Sequence, residues 1–65
     1  MKKNKFLKHL RENDCLPTGR QKGSHARFRN TVTGAATIVP MHNDIDDWLC
    51  RDICKQLGIP YPGKN

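Results

Sequence analysis

The apolar residues of this chain occur at two different spacings, and this change of period constrains the fold more than any other feature. Over residues 45–57 they recur every four positions, which places them on one face of an α-helix. Over residues 25–29 they alternate with polar residues, which is typical of a strand with one buried face. The chain therefore combines helix and strand. The helical repeat consists of Ile45, Leu49, Ile53 and Leu57, with Trp48 beside it.

The apolar content limits the size of any core. Leu, Ile, Val and Phe make up 13 of the 65 residues, near the level of about 20% below which charged chains tend to stay disordered. We expect residues 1–65 to form one small domain, which excludes a multidomain enzyme with its own cofactor fold. No apolar run reaches the roughly 18 residues of a membrane-spanning helix, and no apolar stretch typical of a signal peptide follows the basic N-terminus.

The rest of the pattern predicts the remaining elements. Residues 4–13 read as a helix that Asn4 caps, with Phe6, Leu7 and Leu10 on its apolar face. Residues 14–19 read as a turn and residues 20–22 as a short strand. Residues 30–34 read as a second turn, and residues 35–39 as a strand that ends at Pro40. The predicted inward residues of the two longer strands are Ala26, Phe28, Ala36 and Ile38.

The second helix carries signals at both ends. Acidic residues precede it, where carboxylates cap a helix and suit its dipole, and Gly58 and Pro60 follow its last apolar residue. The order α-β-β-β-α predicts an α+β fold, with two helices on one face of a three-stranded antiparallel sheet. His25, Arg27 and Arg29 then lie on the open face. The acidic residues are Asp44, Asp46 and Asp47.

The charge is concentrated in the first half of the chain. Residues 1–34 contain nine Lys or Arg and two acids, whereas residues 35–65 contain three and four. This asymmetry favours a polyanionic partner, first nucleic acid and second an anionic membrane, although charge that serves only solubility is equally compatible with composition.

Three cysteines without a secretory signal indicate a reducing cytoplasm and free thiols. Cys50 and Cys54 share a helical face, with His42 upstream, but the spacing matches no zinc site, so we expect buried thiols that act as small apolar groups.

The chemistry centres on Gly23, Ser24 and His25, which lie among cations. RNA carries its own nucleophile, the 2′-hydroxyl, so its cleavage needs a base, cations for the phosphorane charge and an in-line geometry, but no metal. Histidine suits this role because it titrates near neutral pH. A surface histidine that only contacts phosphate or solvent is the commoner case. His42 is a second acid/base candidate that also reads as a loop residue, and His9 reads as a surface residue.

At these residues the sequence resembles the HicA toxins of bacterial toxin–antitoxin systems, small mRNA interferases with a double-stranded-RNA-binding-domain-like fold. The resemblance spans roughly residues 3–60 and rests on segments 20–25, 28–30, 37–42 and 53–59 in this order. It implies that His25 is catalytic, that the substrate is mRNA, that a HicB-type antitoxin covers the active site, and that the protein acts in the cytoplasm. Two segments depart from the family pattern. Where the family commonly has a Gly-aromatic pair that leads into the first strand, residues 14–17 of this chain are Asp-Cys-Leu-Pro. Where the second helix of the family usually opens with Gly-Thr, residues 46–48 are Asp-Asp-Trp.

Three functions follow as hypotheses. As a ribonuclease, the chain would use His25 as general base, without metal or other cofactor. The residues expected to bind RNA or its phosphates are Arg20, Lys22, Gly23, Ser24, Arg27 and Arg29. The alternative is a nonenzymatic RNA-binding module. The third is an interaction protein that docks an acidic partner. An antitoxin would bury His25 and offer carboxylates to Arg27 and Arg29.

Overall fold

A computed structural model describes residues 1–62 of the chain. The elements are α1 (Lys3–Glu12), β1 (Cys15–Lys22), β2 (His25–Asn30), β3 (Ala36–Pro40) and α2 (Asp47–Leu57). The strands form one antiparallel sheet in the order β1-β2-β3. The predicted α+β fold class and element order are confirmed, and the arrangement is consistent with a double-stranded-RNA-binding-domain-like fold.

The core lies between the sheet and the two helices. Phe6 and Leu10 of α1 and Ile53 and Leu57 of α2 are completely or almost completely buried, as the two helical periods predict. They join one cluster with the inward side chains of the sheet, so both helices pack on the same sheet face. The sheet contributes Cys15, Ala26, Phe28 and Val39 to this cluster.

The prediction that Ala36 and Ile38 point inward is wrong. Val39 pairs with Ala26 and is completely buried, whereas Ile38 pairs with Arg27 and is 50% exposed. Because paired residues share a face of the sheet, the register fixed by Ala26 and Arg27 places Ile38 on the open side. The sequence of β3 alone, with apolar residues at adjacent positions, could not decide between the two faces.

The prediction of a turn before a short first strand is also wrong. β1 begins at Cys15 and pairs with β2 through Thr18, despite containing Pro17. Pro17 is tolerated because β1 is an edge strand, where a missing N–H leaves no inner ladder incomplete. The register then shifts between Thr18 and Lys22, so β1 carries two more residues than β2 over this interval, which forms a bulge.

The helix starts differ from the predicted capped ends. Asn4 lies inside α1, whose first residue is Lys3, and the flanking Lys2 forms a bridge with Asp44. The Lys3 N–H donates to the Asn43 carbonyl at 2.9 Å, so a tertiary backbone contact replaces the side-chain cap. At α2, Asp46 precedes the helix without a side-chain capping bond.

The far end of the sheet is closed by Asn30, which is buried. Its Nδ2 donates to the Leu57 carbonyl at 2.8 Å, and its Oδ1 accepts from the Val32 N–H at 2.9 Å. One side chain therefore shapes the β2–β3 turn and attaches it to the end of α2. The predicted end of α2 is confirmed, since Gly58 has a positive φ of 72° that favours glycine.

The three cysteines are buried, as predicted, and the structure has them as free thiols. Burial, with smaller contributions from Cys50 and Cys15, raises the pKa of the Cys54 thiol to about 11. Burial also raises the pKa of Cys50 and of Cys15. Such thiols remain protonated at neutral pH and act as small apolar groups.

Candidate active site

The turn between β1 and β2 positions the predicted catalytic residue. Gly23 and Ser24 connect Lys22 to His25, which face each other across the two strands. Gly23 has a φ of 56° and Ser24 has no positive φ, a combination that fits a type II′ hairpin turn with glycine first. Replacing Gly23 by another residue would strain this turn, because L-residues rarely adopt a positive φ.

Two hydrogen bonds hold this turn in place. The side-chain Nε2 of Gln21 donates to the Gly23 carbonyl at 2.8 Å. The Met41 N–H donates to the Ser24 carbonyl at 2.6 Å, which extends the β2–β3 ladder past the end of β3. The backbone that enters His25 is therefore tied to both neighbouring strands. Neither contact is evident from the sequence motif.

The structure brings most of the predicted site residues onto one surface. His25, Arg27 and Arg29 are exposed on the open face, at alternate positions of β2, as predicted. His25 pairs with Lys22 on one side and with Pro40 on the other. Within residues 1–62, no carboxylate lies within salt-bridge distance of Lys22, Arg27 or Arg29, so the charge of these three side chains is available to a ligand.

The predicted cations differ in their placement. Arg27 lies two residues from His25 on the same face, roughly 7 Å along the strand. Arg29 lies near the other end of β2, where a Cβ on Gly34 would be 3.7 Å from its guanidinium nitrogen. Arg20 lies in the bulge of β1 and is exposed. Arg27 and Lys22 are therefore the cations nearest to His25 in strand register.

The other two histidines have distinct environments. His42 is exposed and lies two residues after β3, at the same end of the sheet as His25. His9 is not the plain surface residue that the sequence predicted, because its Nε2 lies 2.7 Å from the Pro60 carbonyl. This geometry requires Nε2–H as the donor and attaches the segment after α2 to α1.

Two apolar residues on the open face were missed by the sequence analysis. Leu16 is 42% exposed and pairs with Arg29, and Ile38 is 50% exposed and pairs with Arg27. The open face therefore combines cations with apolar side chains. Only the strand register shows that these two side chains lie on the open face, and the sequence alone does not determine the register.

The described residues hold no cluster of three or more His, Cys, Asp or Glu arranged for a metal ion. Neither α1 nor α2 combines the length and hydrophobicity that a bilayer crossing requires. A face with a histidine, flanking cations and a glycine turn can bind a phosphodiester and transfer a proton.

Comparison with known proteins gives one family. A family model described as "HicA toxin of bacterial toxin-antitoxin" matches residues 4–59, nearly the whole chain. No curated protein and no solved structure gives a significant match. The match includes all of the predicted site residues and both segments that depart from the family pattern. This chain belongs to the HicA toxin family of bacterial toxin–antitoxin systems.

Proposed function

We propose that this toxin is an endoribonuclease, an mRNA interferase that cleaves RNA phosphodiesters in the bacterial cytoplasm and thereby inhibits translation and growth. The observation that carries the proposal is the exposed His25 on a strand face, with Lys22 and Arg27 beside it and, among residues 1–62, no carboxylate within salt-bridge distance of either cation. Family membership supports the toxin role.

The proposed reaction uses the nucleophile of the RNA itself. An imidazole nitrogen of His25 takes the proton of the 2′-hydroxyl, whose oxygen attacks the adjacent phosphorus. The bond to the 5′-oxygen breaks, and that oxygen takes a proton from the imidazolium or from water. The products are a 2′,3′-cyclic phosphate and a 5′-hydroxyl. This route requires neither a metal nor another cofactor, and a positioned base contributes roughly 10²–10⁴-fold.

The cations stabilise the charge of the transition state. Lys22 and Arg27 neutralise the scissile phosphate, because they are the cations nearest to His25 in the sheet. Arg20 and Arg29 contact phosphates further along the strand. The Ser24 hydroxyl and the backbone at Gly23 position the scissile phosphate. The two hydrogen bonds to the Gly23 and Ser24 carbonyls keep this turn in a fixed geometry.

The same surface is the proposed antitoxin interface. A HicB-type antitoxin covers His25 and pairs its carboxylates with Arg27 and Arg29. Leu16 and Ile38 support this assignment, since their exposed side chains offer apolar contact area between the cations. A complex that leaves His25 open to solvent would contradict direct occlusion and indicate an allosteric route.

Replacement of His25 tests the enzyme. We expect His25→Ala to lower the rate of RNA cleavage by at least about 10²-fold while the circular dichroism spectrum and antitoxin binding remain unchanged. His42→Ala is the matched control, an exposed histidine at the same end of the sheet, and we expect it to change the rate less than threefold, roughly 0.6 kcal/mol. Fully active His25→Ala would refute the proposal.

Product analysis separates this mechanism from its alternatives. Cleavage in the presence of EDTA that leaves 2′,3′-cyclic phosphate and 5′-hydroxyl ends supports it, whereas 5′-phosphate ends would contradict it. Full-length RNA after long incubation with antitoxin-free protein would instead favour the nonenzymatic RNA-binding module. Such a module would bind single strands with a salt slope of roughly −0.7 per phosphate contacted.

A further inference from the structure

A cavity of about 260 Å³ lies beside the bulge, between α1 and the β1–β2 hairpin. α1 contributes Leu7 and Arg11, and the bulge contributes Gly19 and Gln21. Gly19 and Gln21 lie in the interval in which β1 leaves its regular register with β2.

The interior of the cavity is apolar. Ala26 and Phe28, which are nearly buried, form its floor, and Leu7 and Met41 line it while packing only partly against the core. Ligand sites for drug-sized molecules span roughly 300–1,000 Å³, so this volume suits a single planar ring system rather than a peptide or an acyl chain.

The rim of the cavity is positively charged. Arg11 and Arg27 both line it and both are exposed, and no Asp or Glu lies among its lining residues in the described chain. Arg27 lines the cavity, although its side chain lies on the open face with His25, so the β2 backbone at this residue borders both the cavity and the candidate active site. A ligand with one apolar ring and an attached phosphate matches both the interior and the rim.

The cavity is also connected to the turn that positions His25. Gln21 lines the cavity and donates to the Gly23 carbonyl, and Met41 lines it while its N–H donates to the Ser24 carbonyl. A group that fills the cavity therefore contacts the residues that hold the catalytic turn. Single-stranded RNA is recognised mainly through unstacked bases that contact aromatic or arginine side chains.

We infer that this cavity binds one unpaired base of the RNA, next to the phosphodiester that His25 cleaves. The inference rests on the proposed function and deepens it, because the cavity would set the base preference of the toxin at one position. The ribose and phosphate of that nucleotide lie over Arg27, with Arg11 on the opposite rim.

Binding of mononucleotides tests the cavity independently of cleavage. The His25→Ala protein, labelled with ¹⁵N, is titrated with each of the four nucleoside 5′-monophosphates and, separately, with ribose 5-phosphate. We expect at least one nucleotide to shift the amides of Gly19, Ala26 and Met41, with an affinity about tenfold above that of ribose 5-phosphate. Shifts confined to the open face, equal for both probes, would overturn the inference and leave a phosphate site only.

Variants of α1 provide the matched comparison. Leu7→Trp fills the cavity, and we expect it to weaken nucleotide binding about tenfold and to change the base preference next to the cleavage sites in sequenced RNA products. Lys8→Trp, exposed on the same helix and outside the cavity, is the control and leaves both unchanged. Unchanged nucleotide affinity and unchanged cleavage sites in a folded Leu7→Trp protein would refute the inference.

A charge variant covers the case in which Leu7→Trp does not fold. Arg11→Glu places a carboxylate on the rim, and we expect at least about tenfold weaker nucleotide binding, whereas Lys5→Glu on the same helix changes it little. Equal effects of the two charge reversals would overturn the assignment of the rim. If the wild-type protein binds nucleotides in the cavity but never cleaves RNA, the proposed enzyme fails while the base site stands.

Discussion

The two ladders of the sheet differ in regularity. β2 and β3 pair without interruption from Arg29 opposite Ala36 to His25 opposite Pro40. β1 and β2 pair regularly only as far as Thr18, after which the bulge and the glycine turn follow. We refer to β2, β3 and α2 as the regular part and to β1, its turn into β2 and α1 as the bulged part.

The two parts differ in what they contribute to the molecule. The regular part contributes most of the completely buried side chains, including Val39, Ile53 and Leu57. The bulged part contributes the turn before His25, the cavity beside it and most of the cations. Bulges are frequent next to active sites because they redirect side chains without disturbing the strands behind them. Here the continuous β2–β3 ladder provides the rigid support for an irregular edge.

The largest expected effect comes from the core of the regular part. Ile53 is 1% exposed, and removing its side chain beyond Cβ leaves a cavity between α2 and the sheet. We expect Ile53→Ala to lower the free energy of unfolding by about 2–5 kcal/mol, measured by urea denaturation. A chain of this size has little stability in reserve, so Ile53→Val, at about 0.5–1.5 kcal/mol, gives the graded measurement if the alanine variant unfolds.

Ile38 is the matched control for this prediction. It carries the same side chain on a neighbouring element of the regular part, but it faces solvent on the open side. We expect Ile38→Ala to cost less than about 1 kcal/mol, because half of its surface is already in water. If the two alanine variants lose the same free energy of unfolding, Ile38 is packed against other groups in solution, and the two faces of the sheet do not differ in burial.

The second effect concerns the buried thiols. With a pKa of about 11, Cys54 holds about a hundredfold less thiolate at pH 8 than a thiol with a pKa of 9.0. We expect correspondingly slow modification of Cys54 by iodoacetamide, measured by peptide-level mass spectrometry on the protein with all three cysteines in place. Because the pKa of Cys54 is higher in the folded state than in the unfolded state, its thiol contributes to the free energy of unfolding below pH 9. This contribution is lost as the pH rises to about 11.

Cys15 sharpens the comparison of the two parts. It is also completely buried, but it begins the edge strand β1. If the bulged part opens more often than the regular part, Cys15 reacts faster than Cys54 within the same protein. Faster reaction of Cys54 at pH 8 would contradict both the raised pKa and the rigidity of the regular part.

Strong periodic signals were enough to predict the elements of the regular part. The alternation over residues 25–29 correctly identified the two faces of β2, and the four-residue repeat identified the buried face of α2, because one face of each element is much more apolar than the other. Ile45, the first residue of that repeat, is buried but lies before α2, which begins at Asp47. β3 has apolar residues on both faces, so its sequence did not show which residues point inward. Pairing of Ile38 with Arg27 of β2 places Ile38 on the open face. Register is a long-range property, and a five-residue strand does not encode it by itself.

The bulged part was harder to predict for a different reason. Pro17 and Gly19 are common in turns, and only the edge position of β1 allows them in a strand. The start of α1 was misassigned because a backbone contact with Asn43 replaces the expected cap at Asn4. The positions of His25 and Arg27 on one face were predictable from alternation alone, whereas no local pattern reveals the two extra residues of the bulge, beside which the cavity lies.

The smallest expected effect tests the turn itself. Gly23 and Gly19 both have positive φ, 56° and 69°, and a Cβ at either position meets no atom within 4 Å. Alanine at either position therefore costs only backbone strain, about 1–2 kcal/mol by urea denaturation. The two glycines form a matched pair, one in the turn before His25 and one in the bulge.

Their effects on cleavage should differ although their effects on stability are similar. Gly23→Ala moves the backbone that enters His25, so we expect a tenfold or greater loss of RNA cleavage, whereas Gly19→Ala mainly affects the cavity and the base preference. D-alanine at position 23, introduced by chemical synthesis, favours a positive φ and should restore both stability and cleavage. If D-alanine restores stability but not cleavage, the turn does not act by positioning His25, and the proposed role of the bulged part in cleavage does not hold.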